Sequence, residues 1–303
     1  MSISIPCTDE TWSRIKKLLL QRGAGETSAY WQDRRNELLY ERNQDGTVTV
    51  NGLYPSLKKI HWFDRNKSPG PIARIRAWCS PDDPRFWCKH PLVEAYQQRI
   101  KSQLDDRLVK LFPMYDLAKA YDVMQTIERY APSGSILEIG AGGCLVAALV
   151  LNRHPSAQYC VIDLPETMPI GFLILRHLFP QLSIALPGEA IDRPRVRFCT
   201  PEEKPDGLFG AVVNVASFQE LDPPIVNDYF LKIDEALVDG GVFVCINREE
   251  KIDPMRKLRS VFKEYPWPQN YETLLDDEAL ISRWSGPEIA VLRRVICKQS
   301  RAE

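Results

Sequence analysis

The chain has 303 residues, 44% of them hydrophobic and 26% charged, with a formal net charge of −1. That length buries a sizeable core, and so even a balance of charge supplies no field that would draw nucleic acid or an anionic membrane, so both are set aside as partners. The longest apolar run, around Ile170 to Phe179, is interrupted by Arg176 and His177, and Met1-Ser-Ile-Ser-Ile-Pro6 lacks the basic and apolar regions of a secretion signal, so a cytoplasmic protein is expected.

Residues 1–115 show no regular alternation of strand and helix and read as an N-terminal cap and substrate region. Asp9 to Leu20 is an amphipathic helix with acids in its first turn, ended near Gly23. A second helix runs from Ser28 to Tyr40, and the turn Asn43-Gln-Asp-Gly46 leads into a short strand or hairpin arm at Thr47–Asn51. From Pro55 to Pro91 the chain is dense in proline and carries Trp62, Trp78 and Trp87. Such a stretch packs through its aromatics, either as a satellite core or as an aromatic wall over a ligand. Leu92–Leu111 and Tyr115–Tyr130 then read as helices separated by Pro113.

From residue 116 to 303 a second domain is expected, and from Ser135 its texture is regular β/α alternation. Strands fall at Ile136–Ile139, Gln158–Asp163, Val196–Cys199, Ala211–Val215 and Val242–Ile246, with helices at Cys144–Arg153, Glu166–Leu178 and Val226–Val238. Leu182–Leu186 is an extra strand or a surface loop. Ala279–Trp284 and Ile289–Lys298 form a closing antiparallel hairpin. Of the eight cysteines, Cys160, Cys199, Cys245 and Cys297 lie inside apolar runs, as buried reduced thiols do. Cys79 and Cys88 with His90 match no zinc spacing, so no metal is assigned.

The chemistry gathers where strands end, because open α/β sheets bind ligands outside their carboxyl ends. The first strand delivers Glu138-Ile-Gly140-Ala141-Gly142, a turn that exposes bare backbone at the start of a helix. A dinucleotide fingerprint needs glycine or alanine at its sixth position, where this chain has Leu145, and an acid at Glu138 would repel a pyrophosphate. The turn suits a cationic ligand with an amino group and no phosphate, namely S-adenosyl-L-methionine (SAM), leaving as S-adenosyl-L-homocysteine. The second strand ends at Asp163-Leu164, where a carboxylate can take both ribose hydroxyls. The fourth ends in Asn214-Val-Ala-Ser217-Phe-Gln219-Glu220 and the fifth in Asn247-Arg248. Asn214 and Ser217 are expected at the cofactor, Gln219, Asn247 and Arg248 at the acceptor. A parallel sheet closed by an antiparallel hairpin gives the fold class: α/β, a class I methyltransferase Rossmann-like sheet with a mostly helical, partly irregular N-terminal cap.

Leu137-Glu-Ile-Gly-Ala-Gly142, Ile162-Asp-Leu-Pro-Glu166, Val213-Asn-Val-Ala-Ser-Phe-Gln-Glu220 with Tyr229-Phe230, and Ile246-Asn-Arg248 together resemble the ordered motifs of a bacterial sugar O-methyltransferase family. Tyr30-Trp31 resembles a Tyr-Trp pair of that family. The likeness spans residues 30 to 250, and its most specific parts are Asp163-Leu-Pro-Glu166 and Asn214-x-x-Ser-Phe-Gln-Glu220. It implies SAM-dependent methylation of a hydroxyl on a sugar or a sugar-containing small metabolite, with Tyr30 and Trp31 on the acceptor. The chain departs from the common methyltransferase pattern at Cys144, where a third glycine is usual; little consequence is expected.

A sugar hydroxyl needs a base as it attacks. Glu220 is the leading candidate and Asp222 the second; Glu220 tied structurally to Arg248 or a helix end is the competing role. A magnesium ion held by Glu220 and Asp222 is the minor variant of the same site. N-methylation of a small amine, or a scaffold that keeps the fold without turnover, are the alternatives, and either a monomer or a homodimer is compatible.

Overall fold

The computed structural model describes residues 3–23, 28–34, 37–52, 98–104, 106–111, 114–131, 134–254, 258–279 and 290–300. The expected Trp- and Pro-rich wall at 55–91, with Cys79, Cys88 and His90, lies outside them.

Strands β4 (Ser135–Ile139), β5 (Gln158–Ile162), β7 (Val196–Cys199), β8 (Phe209–Val215) and β9 (Leu237–Arg248) run parallel at the centre of an eight-stranded sheet. The two-residue β6 (Ile184–Ala185) joins beyond β7. On the other side β13 (Val291–Lys298) pairs antiparallel with β9, and β12 (Tyr271–Glu278) antiparallel with β13. The resulting order, β12-β13-β9-β8-β4-β5-β7-β6, is the class I methyltransferase fold.

The central strands read as almost unbroken apolar runs because both faces are covered. Alternate residues divide between two cores. Ile136, Val161, Ala211, Val213, Val242 and Val244 face one side, against α4 (Met114–Tyr130), α5 (Leu145–Arg153) and α6 (Met168–Leu178). Leu137, Ile139, Cys160, Ile162, Val212 and Phe243 face the other, against α7 (Pro223–Ala236) and an aromatic cluster of Phe218, Phe230, Phe262 and Tyr265. Glu138, between Ile136 and its neighbours on the first side, is the one charged residue the pleat turns into that core from β4.

The N-terminal residues do not form the long second helix expected. α2 is a single short helix, Ala29–Arg34, and Leu39–Arg42 is strand β2. The reason is the Asn43–Gly46 turn: it folds β2 back on β3 (Thr47–Asn51), and pairing by β2 outweighs the helical propensity of Leu39-Tyr-Glu-Arg. Ile3–Pro6, given no element from sequence, adds β1 to the far edge of β3. Ile5, Val48 and Val50 of this small sheet, with Ile15 and Leu18 of α1 (Asp9–Leu19), share one continuous core with α4, α5 and α6.

Three further boundaries move. The first arm of the closing hairpin is Tyr271–Glu278, which takes the outer edge of β13; of the expected Ala279–Trp284, Ala279 still donates to Val291 O at 2.8 Å and 280–284 lie outside the described residues. The single helix expected over Leu92–Leu111 is two in its described part, 98–103 and α3 (Asp106–Leu111). Glu250–Asp253 and Leu258–Val261, unassigned from sequence, pair as a hairpin, β10 and β11.

The closing hairpin is locked to the helical layer by Arg293 of β13. Its guanidinium donates to Asp122 Oδ1 (3.0 Å) and Thr126 Oγ1 (3.1 Å) of α4, and to both carboxylate oxygens of Asp277 in β12 (2.9 and 2.7 Å). Burial pushes the Asp122 carboxyl upward, and Arg293 opposes that. Removing one member of a buried ion pair leaves the other uncompensated. Arg293→Met is therefore expected to lower the unfolding free energy by about 3 kcal/mol, measured as the shift of the urea midpoint at constant slope.

Candidate active site

The strand order reverses between β4 and β8, so the crevice for a ligand opens where the turn after β4 meets the loop after β8. Gly140 has φ +74° and Gly142 φ +53°, a backbone that only glycine adopts without strain. At Gly140 the requirement is double, because an added Cβ would lie 2.4 Å from Ser217 Oγ. Cys144 also takes the left-handed conformation, φ 53°, as the residue capping α5. A non-glycine residue there costs about 1 kcal/mol, so the substitution expected to be harmless carries strain. Its thiol is fully buried against Gly171 of α6, where any side chain would collide with it.

Asp163 ties the glycine turn to the end of β5. Gly142 N–H donates to its Oδ2 at 2.7 Å, while Leu164 N–H (2.8 Å) and Thr167 Oγ1 donate to Oδ1. Three of about four acceptor positions of the carboxylate are thus used inside the protein. The arrangement leaves room for one hydroxyl, where the sequence had suggested two. Burial raises the Asp163 carboxyl, with the three hydrogen bonds acting against it.

Glu138 lies beneath the turn, 3% exposed, and accepts a hydrogen bond from Tyr159 Oη at 2.8 Å. Loss of water around it pushes its carboxyl up to about 7; the Tyr159 bond lowers it and the nearby Asp163 raises it.

The loop after β8 is held by a set of buried amides. Asn214 Nδ2 donates to Ile139 O (3.0 Å), and Asn214 Oδ1 accepts from Phe218 N–H (3.3 Å) and Asn247 Nδ2 (2.8 Å). Asn247 Oδ1 accepts from Gln219 N–H (3.2 Å), and Gln219 Oε1 from Arg248 N–H (2.8 Å). Asn214 and Asn247 are wholly buried and Gln219 nearly so. The bonds of all three thus run to backbone and to one another inside the protein. Ser217, half-buried, donates to Ile139 O at 3.2 Å and lies against Gly140. Phe218 pins the loop into the aromatic cluster.

The two carboxylates considered as bases face different partners. Glu220 Oε1 accepts from Lys251 Nζ at 2.9 Å, whereas Asp222 Oδ2 accepts from Ala29 N–H at 3.1 Å, at the start of α2. Ser28 Oγ donates to Glu220 O at 2.8 Å. These bonds bring Tyr30 and Trp31 to the loop after β8; their rings pack edge to face at 5.8 Å, and Lys251 Nζ stands 4.1 Å above the Tyr30 ring. Glu220 pairs with Lys251, not with Arg248. Lys251 was missed in the sequence because it lies on the β10 hairpin, which carries no motif. Tyr40 was missed too; its hydroxyl donates to Glu166 O at 2.7 Å, bringing β2 against the loop after Asp163. A cleft of about 510 Å³ lined by Gly134, Ser135, His154 and Gln158 opens at the amino ends of β4 and β5, away from all of these residues.

No family model matches this chain, and no curated protein matches it. Solved structures to which it is similar include the glycopeptide N-methyltransferase MtfA complexed with SAM, at 16% identity over 60% of this chain and 94% of that one, with a TM-score of 0.41. The N-methyltransferase NodS from Bradyrhizobium japonicum WM9 is 13% identical over 61% and 97% of the two chains, TM-score 0.44. The geranyl diphosphate C-methyltransferase from Streptomyces coelicolor A3(2), complexed with Mg2+, geranyl-S-thiolodiphosphate and S-adenosyl-L-homocysteine, is 14% identical over 60% and 75%, TM-score 0.45. The fold of this chain rests on its own strand order.

The raised carboxyl of Glu138 has a consequence for stability. The unfolded chain ionises this glutamate near its ordinary value of about 4.3, the folded chain near 7. Between those limits the folded state holds the extra proton, so stability falls as pH rises and levels off above 7. Glu138→Gln keeps an acceptor for Tyr159 and removes the titration. Wild-type minus variant unfolding free energy, followed by urea denaturation from pH 4.5 to 8, is expected to decline by an amount on the order of 2 kcal/mol.

Proposed function

We propose that this chain is a SAM-dependent methyltransferase acting on a hydroxyl of a sugar or a sugar-containing small metabolite. The observation that carries the cofactor assignment is the buried carboxylate of Glu138 beneath a glycine turn in which a Cβ at Gly140 has no space. A cationic amino group is what such a carboxylate recognises, and a phosphate is what it rejects. The residues present fit SAM: the backbone of Gly140, Ala141 and Gly142 for the methionine portion, Glu138 for its charge, Asp163 with the adjacent Leu164 for the ribose, and Ser217 bordering the turn. Bound there, SAM supplies an electrophilic methyl group.

The chain's own residues do the rest. α2, seated by Ser28 and Ala29, brings Tyr30 and Trp31 over the acceptor side and excludes water. Gln219 and Asn247 hold the backbone N–H groups of Arg248 and Gln219, which border the acceptor. Glu220 takes the proton of the acceptor hydroxyl as its oxygen attacks. Asp222, engaged by α2, is a docking residue. A carboxylate at the acceptor position is what a hydroxyl nucleophile requires and a neutral amine does not, which supports oxygen over nitrogen. Glu220 and Asp222 point to separate partners, and the reading routes nothing through a metal.

Calorimetric titration with SAM is expected to show binding to wild type, at least tenfold weaker binding to Asp163→Ala, and none to Gly140→Ala. Because a bound ammonium lowers the Glu138 carboxyl, binding at pH 6.5 is expected to release a proton, read from the dependence of the heat on buffer ionisation enthalpy and absent in Glu138→Gln. Incubation with SAM and a panel of free sugars, uridine diphosphate sugars and aryl glycosides should give a product heavier by one methylene. Absence of SAM binding by the wild type would end this reading; methylation of amino sugars alone would move it to nitrogen.

A further inference from the structure

Lys251 is the meeting point of three distant segments. It stands on β10, donates to Glu220 in the loop after β8 at 2.9 Å, and lies 4.1 Å over the ring of Tyr30 in α2. The pair is largely withdrawn from water, with 12% of the lysine side chain and 19% of the glutamate side chain exposed. Tyr30 is itself 8% exposed.

A buried ion pair is poor support for stability, because the desolvation of two charges offsets most of their attraction, and replacing both by apolar side chains is often neutral or stabilising. What a buried pair does provide is placement: an ammonium at hydrogen-bond distance restricts a carboxylate to one rotamer and one direction. The second contact of Lys251 makes that placement conditional. A cation over an aromatic face is worth about 0.5–2 kcal/mol, more as water is removed. The same ammonium therefore gains on one side from Glu220 and on the other from a seated α2. Ser28 Oγ donating to the Glu220 carbonyl and Ala29 N–H donating to Asp222 carry the same two segments together.

We infer that Lys251 is a positioning residue for the reaction: it aims the Glu220 carboxylate at the acceptor, and through Tyr30 it makes that aim depend on the N-terminal helix being docked. This rests on Glu220 being the base. When the acceptor hydroxyl gives its proton to one carboxylate oxygen, Lys251 stays charged, donating to Glu220 Oε1 and standing over Tyr30, so no proton needs to pass through the lysine.

The test compares Lys251→Met, Lys251→Arg and Glu220→Gln on the acceptor found in the panel above. Lys251→Met is expected to lower kcat at least tenfold while the KM for SAM changes less than twofold, and Lys251→Arg, which keeps the cation, to recover at least a third of wild-type kcat. Glu220→Gln should lose at least a hundredfold. The double variant Lys251→Met/Glu220→Met should unfold at a urea concentration no lower than wild type yet keep no more kcat than Glu220→Gln, which separates lost activity from lost stability. Independently of any acceptor, hydrogen–deuterium exchange should show faster exchange in Lys251→Met at both 28–34 and 217–222. Wild-type kcat in Lys251→Met alongside a dead Glu220→Gln, or unchanged exchange in both segments, would overturn the role of Lys251. Full activity in Glu220→Gln would instead overturn the assignment of the base.

Discussion

The site depends on a pair of buried amides. Asn214 at the end of β8 and Asn247 at the end of β9 hydrogen-bond side chain to side chain at 2.8 Å, and each then holds backbone that would otherwise be unsupported. Asn214 reaches across to Ile139 O at the end of β4 and to Phe218 N–H; Asn247 takes Gln219 N–H. The ends of β4, β8 and β9 are thus joined by side chains just where ladder hydrogen bonds stop. An amide suits this position because it donates and accepts at once and carries no charge, so it satisfies opposed backbone groups without the desolvation cost of an ion. Loss of either partner would leave several buried polar groups unsatisfied together, which is why such a network acts as a unit. The turn after Gly140 and the loop after Val215 keep their spacing because of it, and Ser217 can then rest against Gly140.

Around that clasp the carboxylates fall into two kinds. Glu138 and Asp163 lie inside the fold, where burial raises both. Asp163 is restrained by three donors and its position is structural first: it ties the glycine turn to the end of β5 beside the bond from Gly140 N–H to Ile162 O at 2.8 Å. Among the described residues Glu138 accepts from Tyr159, and the charge of Lys119 opposes the effect of its burial. Glu220 and Asp222 lie at the outer side, and each draws in a different element, the β10 hairpin for one and α2 for the other. Four acids at or just past strand ends therefore have four distinct surroundings, set by what packs against them.

The central sheet was legible because strands covered on both faces leave long apolar runs, and because glycine at Gly140 and Gly142 marks a turn that other residues cannot make. Glu138 and Asp163 were found by position alone, as the residues that end β4 and β5. The chain near Leu39 was misread, since a local pattern of four residues cannot reveal that Asn43–Gly46 will fold it into pairing with Thr47–Asn51. The closing hairpin was recognised but its first arm misplaced: Tyr271–Glu278 is a charge-rich edge strand without regular alternation, ending in Asp276-Asp277-Glu278, a weaker signal than the buried runs. Asn214 and Asn247 were noticed as polar residues after apolar strands, and only their burial shows that they serve the backbone. Lys251 stands in the sequence only as one more charge after Arg248, with no role assigned. Its partners are 31 residues away in Glu220 and in a helix near the start of the chain, and no spacing rule connects them.

That last residue shows why the junction of α2, the loop after β8 and the β10 hairpin is harder to read than the glycine turn. The turn and its surroundings are built from single strand ends, so each feature is local: a glycine that needs positive φ, an acid that ends a strand. The junction is assembled from segments that are remote in sequence, and each contributes one ordinary residue. A tyrosine, a glutamate and a lysine taken separately have no signature. Their chemistry comes from being brought within 2.9 and 4.1 Å of one ammonium and withdrawn together from water. Since α2 is six residues long and too short to be stable by itself, its shape is conferred by docking on Asp222 and Lys251. α2 is in this sense ordered by the loop after β8 on which it docks, and the two are one structural unit although about 190 residues separate them along the chain.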